Sequence, residues 1–305
     1  MKDAQGMNGA VNFLKPPGMT SSDAVVWLRW VLQKKKCGHG GTLDPAACGV
    51  LPVLVGQGTK LFDRMLNHQK TYAATIRFGT ATDTLDAEGV ITDTTSVIPN
   101  DAQLRAAMTH FVGEIQQIPP QYSAVRVDGK HAYALARGGK QADIPARTVT
   151  IHDLSEPIWV DEKTVTVRVT CSSGTYIRTL AADIAQACGS LGYLTALTRE
   201  ASGVFSIENA VTVEELLAAR EAGDVAKYVT PVEDLLCDLP KRYVAESALK
   251  RAVNGAALKM GEISEGEFLS NECRLYTPQD QLICVAKLGE DQLIRPQIML
   301  LDAQG

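Results

Sequence analysis

The chain has 305 residues, 45% of them hydrophobic and 21% charged, which is close to the globular average and long enough for one large domain or two unequal ones. This excludes a wholly disordered, collagen-like or coiled-coil chain, and no apolar run approaches the ~20 residues of a membrane helix. A net charge of −5 argues at first against a nucleic-acid ligand, and seven Cys without a C-x-x-C argue for reduced structural thiols rather than a disulfide framework or a Cys-rich zinc site.

The N-terminal stretch MKDAQGMNGAVNFLKPPG has neither an apolar signal segment nor an Arg-rich transit pattern, so a cytoplasmic chain is expected. Residues 11–15 (VNFLK) predict a short strand that stops at Pro16-Pro17-Gly18. Thr20-Ser21-Ser22-Asp23 offers a helix N-cap. Ala24, Trp27, Leu28 and Val31 follow at i, i+3, i+4, i+7, as in an amphipathic helix. Residues 71–78 (TYAATIRF) predict a strand. Asn100 with Gln103 forms a capping-box pattern, and Leu104, Met108 and Phe111 continue it as a helix ending near Gly113.

Residues 163–171 alternate, with Val165, Val167 and Val169 on one face of a half-buried strand. After the turn at Ser173-Gly174, Ile177, Leu180, Ala181, Ile184 and Cys188 form a helical stripe ending at Gly189. Thr212 and Glu215 predict another capped helix, which stops at Gly223. From about 241 the segments shorten: a small helix around 247–254, then strand-like 282–287 and IRPQIML. The pattern predicts an α+β fold with a mixed, largely antiparallel sheet flanked by helices, and a small β-rich module over 241–305 after a main domain over 1–240.

The charge is polarised along the chain. Arg29, Lys34, Lys35 and Lys36 cluster without an acid, and Arg126, Lys130, His131, Arg137, Lys140 and Arg147 form a second basic stretch. Acids gather at Asp83, Asp86, Glu88 and Asp93, and again near Glu208–Glu215 and Glu262–Glu267. Such runs are ordinarily solvated faces, and they become phosphate contacts if the ligand is nucleic acid.

Residues 38–52 (GHGGTLDPAACGVLP) stand out. They hold an acid, Asp44, on a loop dense in Gly and Pro. The glycines permit positive φ and close backbone approach, and Pro45 restricts Asp44 to extended conformations, so its carboxylate is aimed by the backbone. An ordinary Asp-Pro turn is the plain alternative. No G-K-[ST] follows and no G-x-G-x-x-G is present, which counts against a phosphate-binding loop.

GHGGTLDPAACGVLP followed by VLVGQGTK resembles the catalytic motif of the bacterial TruB-type tRNA pseudouridine synthases. FLKPPGMTSSD, KTYAATIRFGTATDTLDAEG, PPQYSAVRVDGKHAYALARGG, SSGTYIRTLAADIA and LTREASGVF resemble further blocks of that family, in order, over roughly residues 11–235. The C-terminal module resembles a PUA domain by position and length.

The resemblance implies an isomerase that breaks the uridine C1′–N1 bond, turns the uracil and rejoins it through C5, without cofactor, redox step or metal. It implies that Asp44 is the catalytic carboxylate, attacking C1′ of the ribose or C6 of the ring. Arg178 would hold it ionised through a two-pronged hydrogen bond. Tyr72 would stack on the uracil and relay the C5 proton, Tyr176 and Leu197 would line the uracil pocket, and His39 would fill the gap left by the everted base. Lys15 would either brace the loop or touch backbone phosphate. Lys34, Lys35, Lys36, Arg126, Lys130, Arg137 and Lys140 would contact RNA backbone, and residues about 120–147 would form a basic flap that grips it. The expected partner is the T-stem-loop of tRNA, modified at the uridine conventionally numbered 55 by a monomeric enzyme. Rival readings are a non-catalytic RNA-binding or RNA-folding protein on the same scaffold, and an N-glycosidase.

Overall fold

The computed structural model describes residues 6–123, 125–127, 129–139 and 142–301, without the side chains of Lys130, His131, Ala134 and Arg137. Its centre is a sheet built from β1 (Gly9–Lys15), β2 (Cys37–His39), β3 (Cys48–Val55), β4 (Lys70–Phe78), β5 (Gly113–Gln117), β6 (Arg147–Leu154), β7 (Thr164–Cys171), β8 (Gly192–Ser202) and β9 (Val229–Pro231). The strand order is β9-β1-β3-β8-β4-β7-β6-β5, with β2 on β3 and two short edge pieces, Ile158–Trp159 on β7 and Phe205–Ser206 on β8. Every pairing along this order is antiparallel except β8 with β3, where Thr198 faces Cys48 and Arg199 faces Gly49.

Helices form where the caps were read. In α1 (Ser21–Leu32), α3 (Asp101–Met108) and α5 (Val213–Ala222) the N-cap side chain accepts from the N3 amide and the N3 side chain accepts from the N-cap amide. Each such cap contributes about 1 kcal/mol. The short α2 (Phe62–Asn67) and the uncapped α4 (Ile177–Ala187) complete this part.

Alternation along the strands divides the core. Val11 and Phe13 of β1, Leu51, Val53 and Val55 of β3, and Tyr72, Ala74, Ile76 and Phe78 of β4 pack beneath α1, α3, α4 and α5. Ala10, Val50 and Leu54 point the other way, into a second cluster with Leu61, Met65, Phe205, Leu235 and Leu236. β1 and β3 are therefore buried on both faces.

Residues beyond 240 form a five-stranded sheet of β10 (Lys241–Tyr243), β11 (Leu258–Lys259), β12 (Glu272–Tyr276), β13 (Leu282–Leu288) and β14 (Leu293–Met299), in the order β10-β12-β13-β14-β11, with helix α6 (Glu246–Val253). It has its own core, including Ala248, Ala252, Leu275, Ile283 and Ile294. It is also seated on the large sheet. Val285 and Leu300 enter the second cluster, and Arg64 ion-pairs with Asp238 at 2.5 Å and Glu272 at 2.9 Å. The mixed α+β architecture matches the sequence reading. The longest strand, β8, has no counterpart in that reading.

Candidate active site

Asp44 lies on the loop between β2 and β3, and side chains from three other elements hold that loop. Arg199 of β8 donates from Nη2 to the Gly41 carbonyl and from Nη1 to the Thr42 carbonyl, both at 3.2 Å. Ser21, at the start of α1, donates from Oγ to the Leu43 carbonyl at 2.9 Å and accepts from the Leu43 amide at 2.8 Å. The Asp44 carbonyl accepts from the Ala47 amide at 3.1 Å, closing a turn. The Pro45 carbonyl accepts from Lys15 Nζ at 3.2 Å and from the Gly18 amide at 2.8 Å. Each carbonyl from residue 41 to residue 45 is engaged, so the carboxylate projects from a backbone with little freedom to move.

Two glycines make this packing possible. Gly41 sits at φ +140°, and Gly49 at φ +108°, where a Cβ would fall 2.3 Å from the Arg199 carbonyl oxygen.

The Asp44 side chain is 37% exposed, at the edge of the site, while its partner Arg178 is 6% exposed. Arg178 Nε lies 2.9 Å from Oδ2, and Nη2 donates to Oδ1 at 3.3 Å. The guanidinium also donates to the Thr84 and Tyr122 carbonyls, each at 3.0 Å, and Nη1 stands 3.6 Å from the Asp86 carboxylate. A cation in the first turn of a helix opposes the helix dipole. Here two carboxylates and two carbonyls outweigh that cost and fix the guanidinium plane.

Tyr72 on β4 lies directly across the ladder from Arg199 and is 9% exposed. Burial pushes its phenol above the usual range, and the nearby Arg199 charge pulls in the opposite direction. Leu197, half-buried, is two residues from Arg199 on β8 and faces Ala74 of β4. Tyr176 caps α4. The buried Gln117 side chain holds its backbone, accepting from the Tyr176 amide at 2.7 Å and donating to its carbonyl at 3.0 Å. The guanidinium of Arg147 lies 4.8 Å from the Tyr176 ring centre. His39 ends β2, half-buried, with Nδ1 buried and unpartnered among the described residues. Burial first, and then the nearby Arg199 charge, hold its pKa down, so the ring stays neutral.

For Lys15 the sequence leaves two roles open, brace of the loop or contact to backbone phosphate. Lys15 is 0% exposed, and Nζ donates to the Pro16, Met19 and Pro45 carbonyls at 2.8, 2.7 and 3.2 Å. With its three donors turned inward it braces the loop and is out of reach of a phosphate. Lys35 and Lys36 are exposed and Lys34 is half-buried, beside the start of β2. Arg126 is exposed on a short hairpin with Lys130–His131. The Lys130 and Arg137 side chains and Lys140 lie outside the described residues. Residues 125–144 carry a small apolar cluster of their own, Ala132, Ala142 and Ile144 with Val125, Val127 and Leu135. Its base is tied to the site through the bond from Arg178 to the Tyr122 carbonyl.

Sequence reasoning missed four supporting residues: Ser21, Asp86, Gln117 and Arg199. Ser21 and Arg199 lie inside motifs that were recognised, and Asp86 was read as one of a solvated acidic group.

A family model described as TruB family pseudouridylate synthase (N terminal domain) matches residues 29–177. The chain is 40% identical over 301 residues to a tRNA pseudouridine synthase B of Burkholderia mallei (strain NCTC 10247), covering 98% of this chain and 99% of that one. It is 41% identical over 297 residues to a protein of the same name from Lactococcus lactis subsp. cremoris, with 90% of each chain covered. Among solved structures it is similar to a Cbf5-Nop10-Gar1 complex, with a TM-score of 0.73 at 26% identity over 97% of this chain and 85% of that one. An H/ACA ribonucleoprotein bound to a substrate RNA containing 2′-deoxyuridine gives 0.72 at 25% identity, over 98% of this chain and 86% of that one.

Proposed function

From the premise that this chain belongs to the TruB family of pseudouridylate synthases, we propose that it isomerises uridine to pseudouridine in tRNA, at the T-loop uridine conventionally numbered 55. The observation that carries this reading is the Asp44–Arg178 pair, an accessible carboxylate on a loop whose carbonyls are held from 41 to 45.

The reaction needs an ionised carboxylate beside the ribose and uracil of a flipped-out nucleotide. Arg178 orients the Asp44 carboxylate, and the loop braces keep it from swinging away as charge develops. Attack at C1′ or at C6 is compatible with the same placement. Tyr72, Leu197 and Tyr176 would bound the uracil, with Tyr72 passing on the C5 proton, and the neutral His39 ring would fill the space left by the everted base at no cost in charge desolvation. Lys34, Lys35, Lys36 and Arg126 would contact phosphate, as would Lys130, Arg137 and Lys140.

Residues about 120–147 would close on RNA as one body. Support for this comes from their separate apolar cluster and from the Tyr122 link to Arg178. Residues 241–305 would add RNA contacts as a PUA-like module after a catalytic domain over 1–240. The protein would act as a cytoplasmic monomer.

The test is incubation with a T-arm RNA hairpin, assayed for pseudouridine and for free uracil. Pseudouridine without free uracil is expected. Free uracil would indicate a glycosidase, and neither product a binding protein.

A further inference from the structure

We propose that Arg199 is the positioning residue that holds the Asp44 loop on the strand facing Tyr72 and supplies the charge that lets the Tyr72 hydroxyl pass on the C5 proton, an inference that rests on the reaction proposed above. Arg199 is 1% exposed and, among the described residues, pairs with no carboxylate. Its fork is instead given to the start of β3 and the Asp44 loop. Nε donates to the Val50 carbonyl at 2.6 Å, Nη1 and Nη2 donate to Thr42 and Gly41, and across the ladder Arg199 faces Tyr72. Three carbonyl dipoles engage each of its nitrogens but carry no full charge to balance it. A buried cation of this kind favours negative charge on whatever it faces.

The chemistry has a use for that charge. When the N1–C1′ bond breaks, its electron pair leaves with the uracil. Once C5 has bonded to C1′, the ring must lose the C5 proton and gain one at N1. The Tyr72 oxygen can serve both ends, giving its hydroxyl proton towards N1 and taking the C5 proton, with the electron pair of the C5–H bond restoring the ring double bond. Tyr72 ends as it began, and no other reactant is consumed. During the exchange its oxygen carries negative charge in a buried site. Burial opposes this, as do the neighbouring Cys171 and Asp44, and Arg199 offsets part of their effect. Lys70, two residues earlier on β4, is a second buried cation, lowered to about 8 chiefly by burial, and its Nζ donates to the His68 carbonyl at 2.5 Å.

The test compares wild type, Arg199→Gln, Tyr72→Phe and the double variant on T-arm hairpins carrying uridine or 5-deuterouridine, under single turnover, with RNA affinity measured alongside. Arg199→Gln is expected to lower the rate ~10²-fold with little change in RNA affinity. It should raise the 5-deuterium isotope effect above the wild-type value, as Tyr72→Phe does, and the double variant should fall well short of the product of the two single losses. If Arg199→Gln slows the reaction with an unchanged isotope effect, or if the two changes multiply, Arg199 acts only through the loop and the proposal is overturned. Should Arg199→Gln fail to fold, Arg199→Met, which also removes the charge, replaces it: a raised isotope effect supports the proposal and an unchanged one overturns it. Wild type making no pseudouridine would instead overturn the reaction assigned to the site, a separate result.

Discussion

Ser21→Ala tests whether the loop's rigidity matters. Ser21 is 3% exposed, and its hydroxyl both donates to and accepts from the backbone of Leu43, the residue before Asp44. Alanine leaves the Leu43 N–H and C=O without their partner in a buried loop. Each unpaired group costs ~1–3 kcal/mol, so the pair costs about 2–6 kcal/mol if the loop keeps its path. At ~2–4 °C per kcal/mol for a large domain, the melting temperature should fall by roughly 4–24 °C. If the loop instead shifts to reach water, stability recovers and Asp44 moves. A displacement near 1 Å costs ~10²-fold in rate. Thermal melting and single-turnover conversion of a T-arm hairpin, measured on the same preparation, cover both responses. A variant with wild-type melting and wild-type rate would refute the reasoning.

Gly49→Ala should destabilise more than a surface glycine would, because its Cβ would meet the Arg199 carbonyl at 2.3 Å and its φ of +108° is itself strained for alanine; a melting temperature within error of wild type would contradict this. Stability should fall as pH drops below 6.5, because burial holds the His39 pKa down and the unfolded chain therefore binds the proton more readily. His68 is shifted the same way, so replacing both by Asn should flatten denaturant midpoints measured between pH 7 and pH 5. Replacing the exposed Lys35 and Lys36 by Ala should leave the melting temperature unchanged and reduce the salt dependence of RNA binding by about 0.9 per lost phosphate contact; an unchanged slope would remove these residues from the interface.

The frame was legible where one face of an element meets water. Thr20, Asn100 and Thr212 announced helix starts through their partners three residues on, and 71–78 and 163–171 announced strands by alternation. The pattern failed for β3, whose run CGVLPVLV is buried on both faces and so does not alternate. It also failed for β8. Register shifts between Leu194 and Ala196 and between Arg199 and Ala201 break its period of two, and the second shift adjoins the one arginine that links both halves of the site.

Of the residues named from the family resemblance, Arg178 pairs with Asp44, Tyr72 faces Arg199 across the ladder, and Lys15 holds the Pro45 carbonyl beside Asp44 as a brace. The residues that support them do not announce themselves. Asp86 looks like any acid in an acidic stretch, and only the folded chain sets it at 16% side-chain exposure beside Arg178. Gln117 acts on the backbone of Tyr176, 59 residues away, a pairing no local pattern encodes.

The account's central claim is that the anionic oxygen of Asp44 performs the isomerisation. Asn is nearly isosteric and keeps an oxygen acceptor for Arg178, so Asp44→Asn should fold, melt and bind a T-arm hairpin much as wild type does. Its yield of pseudouridine under single turnover, in a preparation free of wild-type enzyme, is the most direct measurement. The account predicts no detectable product over many wild-type half-lives, and measurable conversion by the clean variant would contradict it.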